Sequence, residues 1–214
     1  MLDKQMKEQI RKKPTLLREL EDPSEELMLY AVASAWNNLK YFKQSTPEVR
    51  RAALENKGWA IQYISEPSQE EQLIAVKRDA DAIQYIKEPD CEVQVEAVKT
   101  SWNAVRYIEK PCREARRQAI MKNEQAIAYI GGFEEDELEE YLKLNLNILK
   151  YIYDSVEMDD LIRILSEEFQ GNPTKAYIKD FMELEILDLD KINFIGSVGS
   201  KATRQKLVDY VLGR

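Results

Sequence analysis

The sequence predicts an all-α fold: a right-handed α-solenoid of stacked short helical hairpins, closed by a helical C-terminal cap. Three observations predict it. Tyr41, Tyr63, Tyr85, Tyr107, Tyr129 and Tyr151 stand 22 residues apart. Further columns share that register. Leu39, Ile61, Ile83, Val105, Ile127 and Leu149 lie two places before each Tyr, and Phe42, Ile64, Ile86, Ile108, Ile130 and Ile152 one place after. Ala31, Ala53, Ala75, Ala97 and Ala119 lie ten places upstream, broken only by Tyr141, and Val32, Leu54, Val76, Val98, Ile120 and Leu142 follow them. Finally, 7 Gly and 7 Pro among 214 residues, with abundant Glu, Lys, Leu, Ile and Ala, favour helix throughout. A fixed period is the mark of a repeat array, here about seven 22-residue units.

In chain order, residues 1–22 read as a degenerate capping unit, because Ile10, Leu17 and Leu20 align with Val32, Leu39 and Phe42. The units that follow each read as two helices. In the unit opening at Pro67, the first helix is expected over 68–78 and the second over about 81–87. Pro67-Ser68-Gln69-Glu70 and Pro89-Asp90-Cys91-Glu92 are N-terminal signals, since acids favour the positive end of the helix dipole. A two-turn second helix is too short to persist alone and must pack on its neighbours. The Ala column allows close approach, and the Tyr column is expected to pack between units with its hydroxyl at the edge. Near Thr46-Pro47 the Pro comes two residues late, which alters a turn and leaves the stacking intact. Gly131-Gly132 ends a helix, and Phe133 replaces the Pro of the next unit. The array is assigned to 1–154, and 155–214 to a helical cap or diverged repeats with helices at about 158–169, 174–186, 188–195 and 201–212.

Composition narrows the function classes. The chain has no His, which excludes His-dependent triads and metal sites. No apolar run reaches the roughly 20 residues that span a bilayer, and the charged start lacks a signal-peptide core, so a cytoplasmic location is expected. Cys91 and Cys112 sit beside the Pro of adjacent repeats. Helices stacked about 10 Å apart would hold them beyond disulfide reach, so two unpaired thiols are expected. The net charge of −8 is uneven: about −9 falls in residues 133–173, and +3 in 196–214.

The pattern Pro-x-x-Glu-Val-Gln-x-x-Ala-Val-Lys followed by Ala-Ile-Gln-Tyr-Ile resembles a short helical repeat of unknown function found in phage and bacterial proteins. That repeat is itself similar to a shortened HEAT or armadillo hairpin. Residues 67–110 match best. The resemblance implies a fold, and a phage or mobile-element setting for many relatives. It carries no catalytic residue.

Candidate contacts lie where the repeats differ. Trp36 and Trp102 share a position and Trp59 falls one place later; they read either as binding anchors or as cover for the hairpin turn. Arg106, Arg113, Arg116, Arg117 and Lys122, with Lys110, form a basic cluster in the register of Arg50-Arg51, either a solvated face or a stripe for phosphates or acids. Glu134, Glu135, Asp136, Glu139 and Glu140 form an acidic run, either ordinary helix charge or a surface for a basic partner. Gly196-Ser197-Val198-Gly199-Ser200-Lys201 lacks the spacing of a phosphate loop, and Ser200 reads as a helix N-cap.

The expected function is non-enzymatic protein binding without a cofactor. The partner would be a host protein, possibly a basic nucleic-acid-binding one such as a defence nuclease, and the chain phage or mobile-element encoded. Direct nucleic-acid binding, or an alkylbase DNA glycosylase of HEAT-like build, is the alternative.

Overall fold

The computed structural model describes residues 4–213; residues 1–3 of the expected capping unit, and Arg214, lie outside the described residues. The described residues form helices and no strand. They divide into two compact units, one running to Gln118 and one beginning at Ala119.

The 22-residue period is visible in the helix ends. Helices α1 (Lys4–Lys12), α2 (Glu25–Ser34), α3 (Pro47–Asn56), α4 (Gln69–Arg78), α5 (Cys91–Thr100), α6 (Arg113–Lys122) and α7 (Glu135–Leu144) terminate at 22-residue intervals. Each stop has a common cause. Ala35, Lys57, Asp79, Ser101, Asn123 and Asn145 are extended, and each donates its N–H to the residue of the Ala column four places back, or to Tyr141 in the last case. Starts are equally regular. Ser24, Thr46, Ser68 and Asp90 cap α2–α5 through side-chain oxygens. The late Pro47 therefore only moves Pro to the first helical position, and the cap keeps its register.

The second element of each hairpin differs from the expected α-helix. It is a six-residue 3₁₀ helix: Pro14–Glu19, Trp36–Tyr41, Gly58–Tyr63, Ala80–Tyr85, Trp102–Tyr107 and Glu124–Tyr129. With three residues per turn, positions i and i+3 share a face. Ala80 and Ile83 share one such face and are buried, while Ala82 and Tyr85 share another, on which Ala82 is fully buried and Tyr85 is 36% exposed; Ile86, extended beyond the end, is buried. The tyrosine column is only partly buried, short of the core expected for it: Tyr41 and Tyr63 are half-buried. Tyr85, Tyr107, Tyr129 and Tyr151 are 36–45% exposed, while the Ala column and the column after it are fully buried.

In the first compact unit α2 packs on α3, α3 on α4 and α4 on α5, and successive 3₁₀ helices lie side by side. Gly58 is required at one close approach, because a Cβ there would lie 2.3 Å from the Ala75 carbonyl oxygen. Polar side chains cross between repeats. Asn56 donates to Val32 O (3.0 Å), Arg78 to Asn56 O (3.2 Å), and Arg50 to Glu71 Oε1 (2.5 Å). Glu71 occupies a position filled by Val49 and Val93 elsewhere; Arg50 and the Ser68 N–H satisfy it there.

The cysteines are paired, contrary to expectation. Cys91 and Cys112 form a disulfide with Cα atoms 5.7 Å apart. The axis spacing of stacked helices is the wrong ruler for this pair. Cys91 opens α5, and Cys112 ends the turn entering α6, where its carbonyl accepts from Arg116 N. Their separation of 21 residues, one short of the repeat, brings that turn over the start of α5. Gln94 fixes it there by accepting from Cys112 N (2.7 Å) and donating to Pro89 O (2.8 Å).

In the second compact unit a broken turn, Leu146–Ile148 in 3₁₀ form and α8 (Leu149–Ile152) in α form, takes the second position of the hairpin. Four helices follow: α9 (Met158–Gln170), α10 (Lys175–Glu183), α11 (Lys191–Val198) and α12 (Lys201–Val211). The third starts later than expected because Asp190 caps it, accepting from Asn193 N. Phe169 packs edge-on against Tyr177, Phe181 and Phe194 at centroid distances of 6.0, 4.8 and 6.1 Å. No described helix is long and apolar enough to cross a membrane.

A candidate contact face on the 3₁₀ helices

Trp36 and Trp59 each pack onto the tyrosine of the next repeat. Trp36 stacks on Tyr63, centroids 6.0 Å apart and planes 25° from parallel. Trp59 meets Tyr85 edge-on at 6.0 Å, and its indole N–H donates to Asp81 Oδ1 (2.8 Å). Lys57 lies over the Trp59 ring and reaches Asp79. Trp102 is half-buried at the start of its 3₁₀ helix. Trp36 and Trp59 therefore cover turns and simultaneously support the exposed Tyr rings. Next to each Tyr stands an outward side chain: Lys40, Gln62, Gln84, Arg106, Ala128 and Lys150 are all exposed. Arg18 and Lys40 lie over Tyr41. Aromatic and polar groups thus alternate along the 3₁₀ face of each repeat.

Between Ala80–Tyr85 and Trp102–Tyr107 this face dips into a groove of about 270 Å³, lined by Asp79, Asp81, Ser101, Asn103 and Tyr107. Asp79 is neutralised by Lys57 and also accepts from Gly58 N (2.7 Å). The Asp81 carboxylate accepts from the Trp59 indole, and its backbone carbonyl accepts from the Gln84 side chain (2.8 Å).

The expected basic stripe is dispersed. Arg106 projects from the 3₁₀ face and donates to Asn103 Oδ1 (3.4 Å). Arg113, Arg116, Arg117 and Lys122 belong to α6, with Arg113 and Lys122 exposed and Arg116 and Arg117 half-buried; Arg117 pairs with Glu114 at 3.6 Å. Arg50 and Arg51, expected to extend the stripe, are bound to Glu71, Glu55 and Glu70.

Much of the acidic run also has local work. Glu134 and Glu137 form a reciprocal cap at the start of α7. Glu137 is buried and accepts from the Tyr141 hydroxyl (3.0 Å), while Phe133 sits edge-on to the Tyr141 ring. The substitutions of Phe for Pro and Tyr for Ala in this repeat are thus two halves of one packing change. Glu139 binds Lys143 (2.6 Å) and Arg163 (3.2 Å), which together hold its carboxyl below the usual range, the Lys143 hydrogen bond foremost. Arg163 also reaches Glu135, Asp160 and Glu167. Glu135, Asp136 and Glu140 remain at the surface or half-exposed.

Ser200 caps α12 as expected, accepting from Thr203 N (3.2 Å) and donating to Gly171 O (2.9 Å). That geometry accounts for the Gly-Ser-rich segment. The described residues contain no group of three or more Cys, Asp or Glu side chains placed to hold a metal. The chain matches no protein-family model, no curated protein and no solved structure.

Proposed function

We propose that this chain is a non-enzymatic binding scaffold, a right-handed α-solenoid of about seven 22-residue units that engages a protein partner through its 3₁₀ face. The observation that carries this reading is the outward tyrosines of the repeats, 36% and 42% exposed at Tyr85 and Tyr107 in the first compact unit and 42% and 45% at Tyr129 and Tyr151 in the second, with Tyr41 and Tyr63 half-buried. Tyrosine supplies rigid, amphipathic contact area at little entropic cost, and here it stands on a frame whose buried columns fix its spacing. Trp36 and Trp59 contribute as supports of that face, and Trp102 stands half-buried beside it.

The partner is a host protein, with a basic nucleic-acid-binding protein such as a defence nuclease as the favoured class. A phage or mobile-element setting, and with it a site of action in the host cytoplasm, accompanies this reading and rests on the repeat resemblance. The 3₁₀ face replaces residues 134–140 as the main contact because Glu134, Glu137 and Glu139 already serve caps and ion pairs. The test is affinity capture from host lysate with wild type, Tyr85→Ala/Tyr107→Ala, and Glu135→Lys/Glu140→Lys. Loss of the captured protein in the tyrosine variant alone, with an unchanged helical signal, supports the reading. Loss in the charge variant alone transfers the contact to the acidic surface and refutes it.

A further inference from the structure

The column of helix-capping residues changes its chemistry at one repeat. Ser24, Thr46, Ser68 and Asp90 stand 22 residues apart, and each accepts a helix N–H through a side-chain oxygen. The next position in that column is Cys112. Its backbone keeps the cap geometry, because its carbonyl accepts from Arg116 N as Thr46 O accepts from Arg50 N, both at 3.0 Å. Its side chain does not act as a cap oxygen would, since the sulfur is joined to Cys91. Cys91 is exposed and Cys112 half-buried, so solvent reaches the bond chiefly from the Cys91 side. The two sulfurs also differ in charge setting. Cys91 is the first residue of α5 and lies between Asp90 and Glu92; the Val93 N–H of that helix start is already bound to Asp90 Oδ1 (2.9 Å). Cys112 directly precedes α6, whose first five residues include Arg113, Arg116 and Arg117 beside a single acid, Glu114.

We propose that Cys91–Cys112 is a reversible thiol–disulfide exchange site for a low-molecular-weight thiol, with Cys91 the sulfur attacked and Cys112 the leaving group. An incoming thiolate attacks Cys91 Sγ and bonds to it. The Cys91–Cys112 bond breaks, and its electron pair leaves on Cys112 Sγ. That charge forms at the start of α6, where the helix N–H groups and the positive end of the dipole stabilise a thiolate. A better-stabilised leaving thiolate speeds exchange. The opposite polarity would put the charge on Cys91, between two carboxylate residues. A second thiolate then attacks the sulfur of the first, releasing Cys91 and the small molecule as its own disulfide. Two thiols have thus given two electrons, and their two protons pass to the two cysteines. Exposed disulfides are the labile ones, whereas buried structural ones resist exchange. Gln94 holds Cys112 N and Pro89 O independently of the sulfurs, so the turn stays in place for the bond to close again. The pair is therefore a modification site as well as a staple.

The test uses the full-length, air-oxidised chain with reduced glutathione as the probe, and a disulfide-linked pair of peptides covering 88–94 and 109–115 as the unfolded reference. Reactions run without oxygen and are stopped with excess N-ethylmaleimide, and tryptic peptides are read by mass spectrometry. Exchange within about tenfold of the reference rate, with glutathione on Cys91 and maleimide on Cys112, supports the proposal. Slower exchange makes the bond a structural staple only and overturns it. So does glutathione shared equally between the cysteines or found mainly on Cys112. Where both thiols appear before a mixed disulfide is trapped, single-cysteine chains decide. At neutral pH iodoacetamide should alkylate Cys112 in Cys91→Ser about threefold faster than Cys91 in Cys112→Ser. Equal or reversed rates overturn the proposal. Glutathione disulfide added afterwards should restore the wild-type bond with the helical signal unchanged throughout, and a bond that does not re-form overturns the reversibility.

Discussion

Removing the Cys91–Cys112 disulfide is the most informative perturbation of the scaffold. The bond closes a segment of 21 residues. In the chain-entropy description, closing about 21 residues removes roughly 11 cal/mol/K from the unfolded ensemble, or about 3 kcal/mol at 25 °C. In a chain of this size about 1 kcal/mol moves the melting midpoint by about 2–4 °C, so a fall of about 6–12 °C is expected for Cys91→Ala/Cys112→Ala. The double variant leaves Gln94 bonded to Cys112's backbone position and to Pro89 O, so the turn keeps its polar anchor and the native helix content is retained. The assay is thermal circular dichroism of the air-oxidised wild type and the variant, each with and without a dithiol reductant. Reductant should lower the wild-type midpoint to that of the variant and leave the variant unmoved. An unchanged wild-type midpoint, or quantitative alkylation of both cysteines in the oxidised native chain, would refute the reasoning.

Three further outcomes follow from local geometry. Gly58→Ala should cost about 1–3 kcal/mol in urea unfolding, because its Cβ would meet a backbone carbonyl at 2.3 Å, whereas Gly131→Ala meets nothing within 4 Å and should be close to neutral. Tyr177→Phe removes a buried hydroxyl that has no hydrogen-bond partner among the described residues, so stability should hold or rise; Tyr141→Phe removes a hydroxyl bonded to buried Glu137 and should cost about 1 kcal/mol by the same measurement. The Glu139 carboxyl is held below its ordinary value by Lys143 and Arg163. Its contribution is therefore complete above the unfolded glutamate pKa of about 4.3 and is lost as pH falls through the lower folded value. Urea midpoints measured from pH 7 to pH 3 should fall less steeply for Glu139→Gln than for wild type, and parallel curves would contradict this.

Particular residues show where the sequence was legible. The cap at Ser200, the first helix of the Pro67 repeat and the break at Gly171-Asn172-Pro173 depend on side chains acting within a turn or two of their own position, and they appear where the local signals put them. The helix type of the second elements was not legible. Apolar residues at i, i+1, i+3 and i+4 fit an α-helix of about two turns, and nothing in those few positions distinguishes it from a 3₁₀ helix with three residues per turn. Ala82, Ile83 and Ile86 are buried as that pattern expects, and Tyr85 alone of the four is partly exposed.

The candidate contact residues divide along the same line. Glu134–Glu140 read as one acidic surface because charge is visible in a list of residues, while the pairing of Glu139 with Lys143 and Arg163 requires α7 and α9 to be packed together.

By itself the sequence determined the helical class, the 22-residue period, the buried Ala and branched columns and the position of the caps, because each follows from local propensity or from a register repeated many times. Only the tertiary structure decided the 3₁₀ form of the second elements, the exposure of the tyrosines and the joining of Cys91 to Cys112. Those depend on how a turn from one repeat leans over the helix of another, and distance between residues remote in sequence is set by packing.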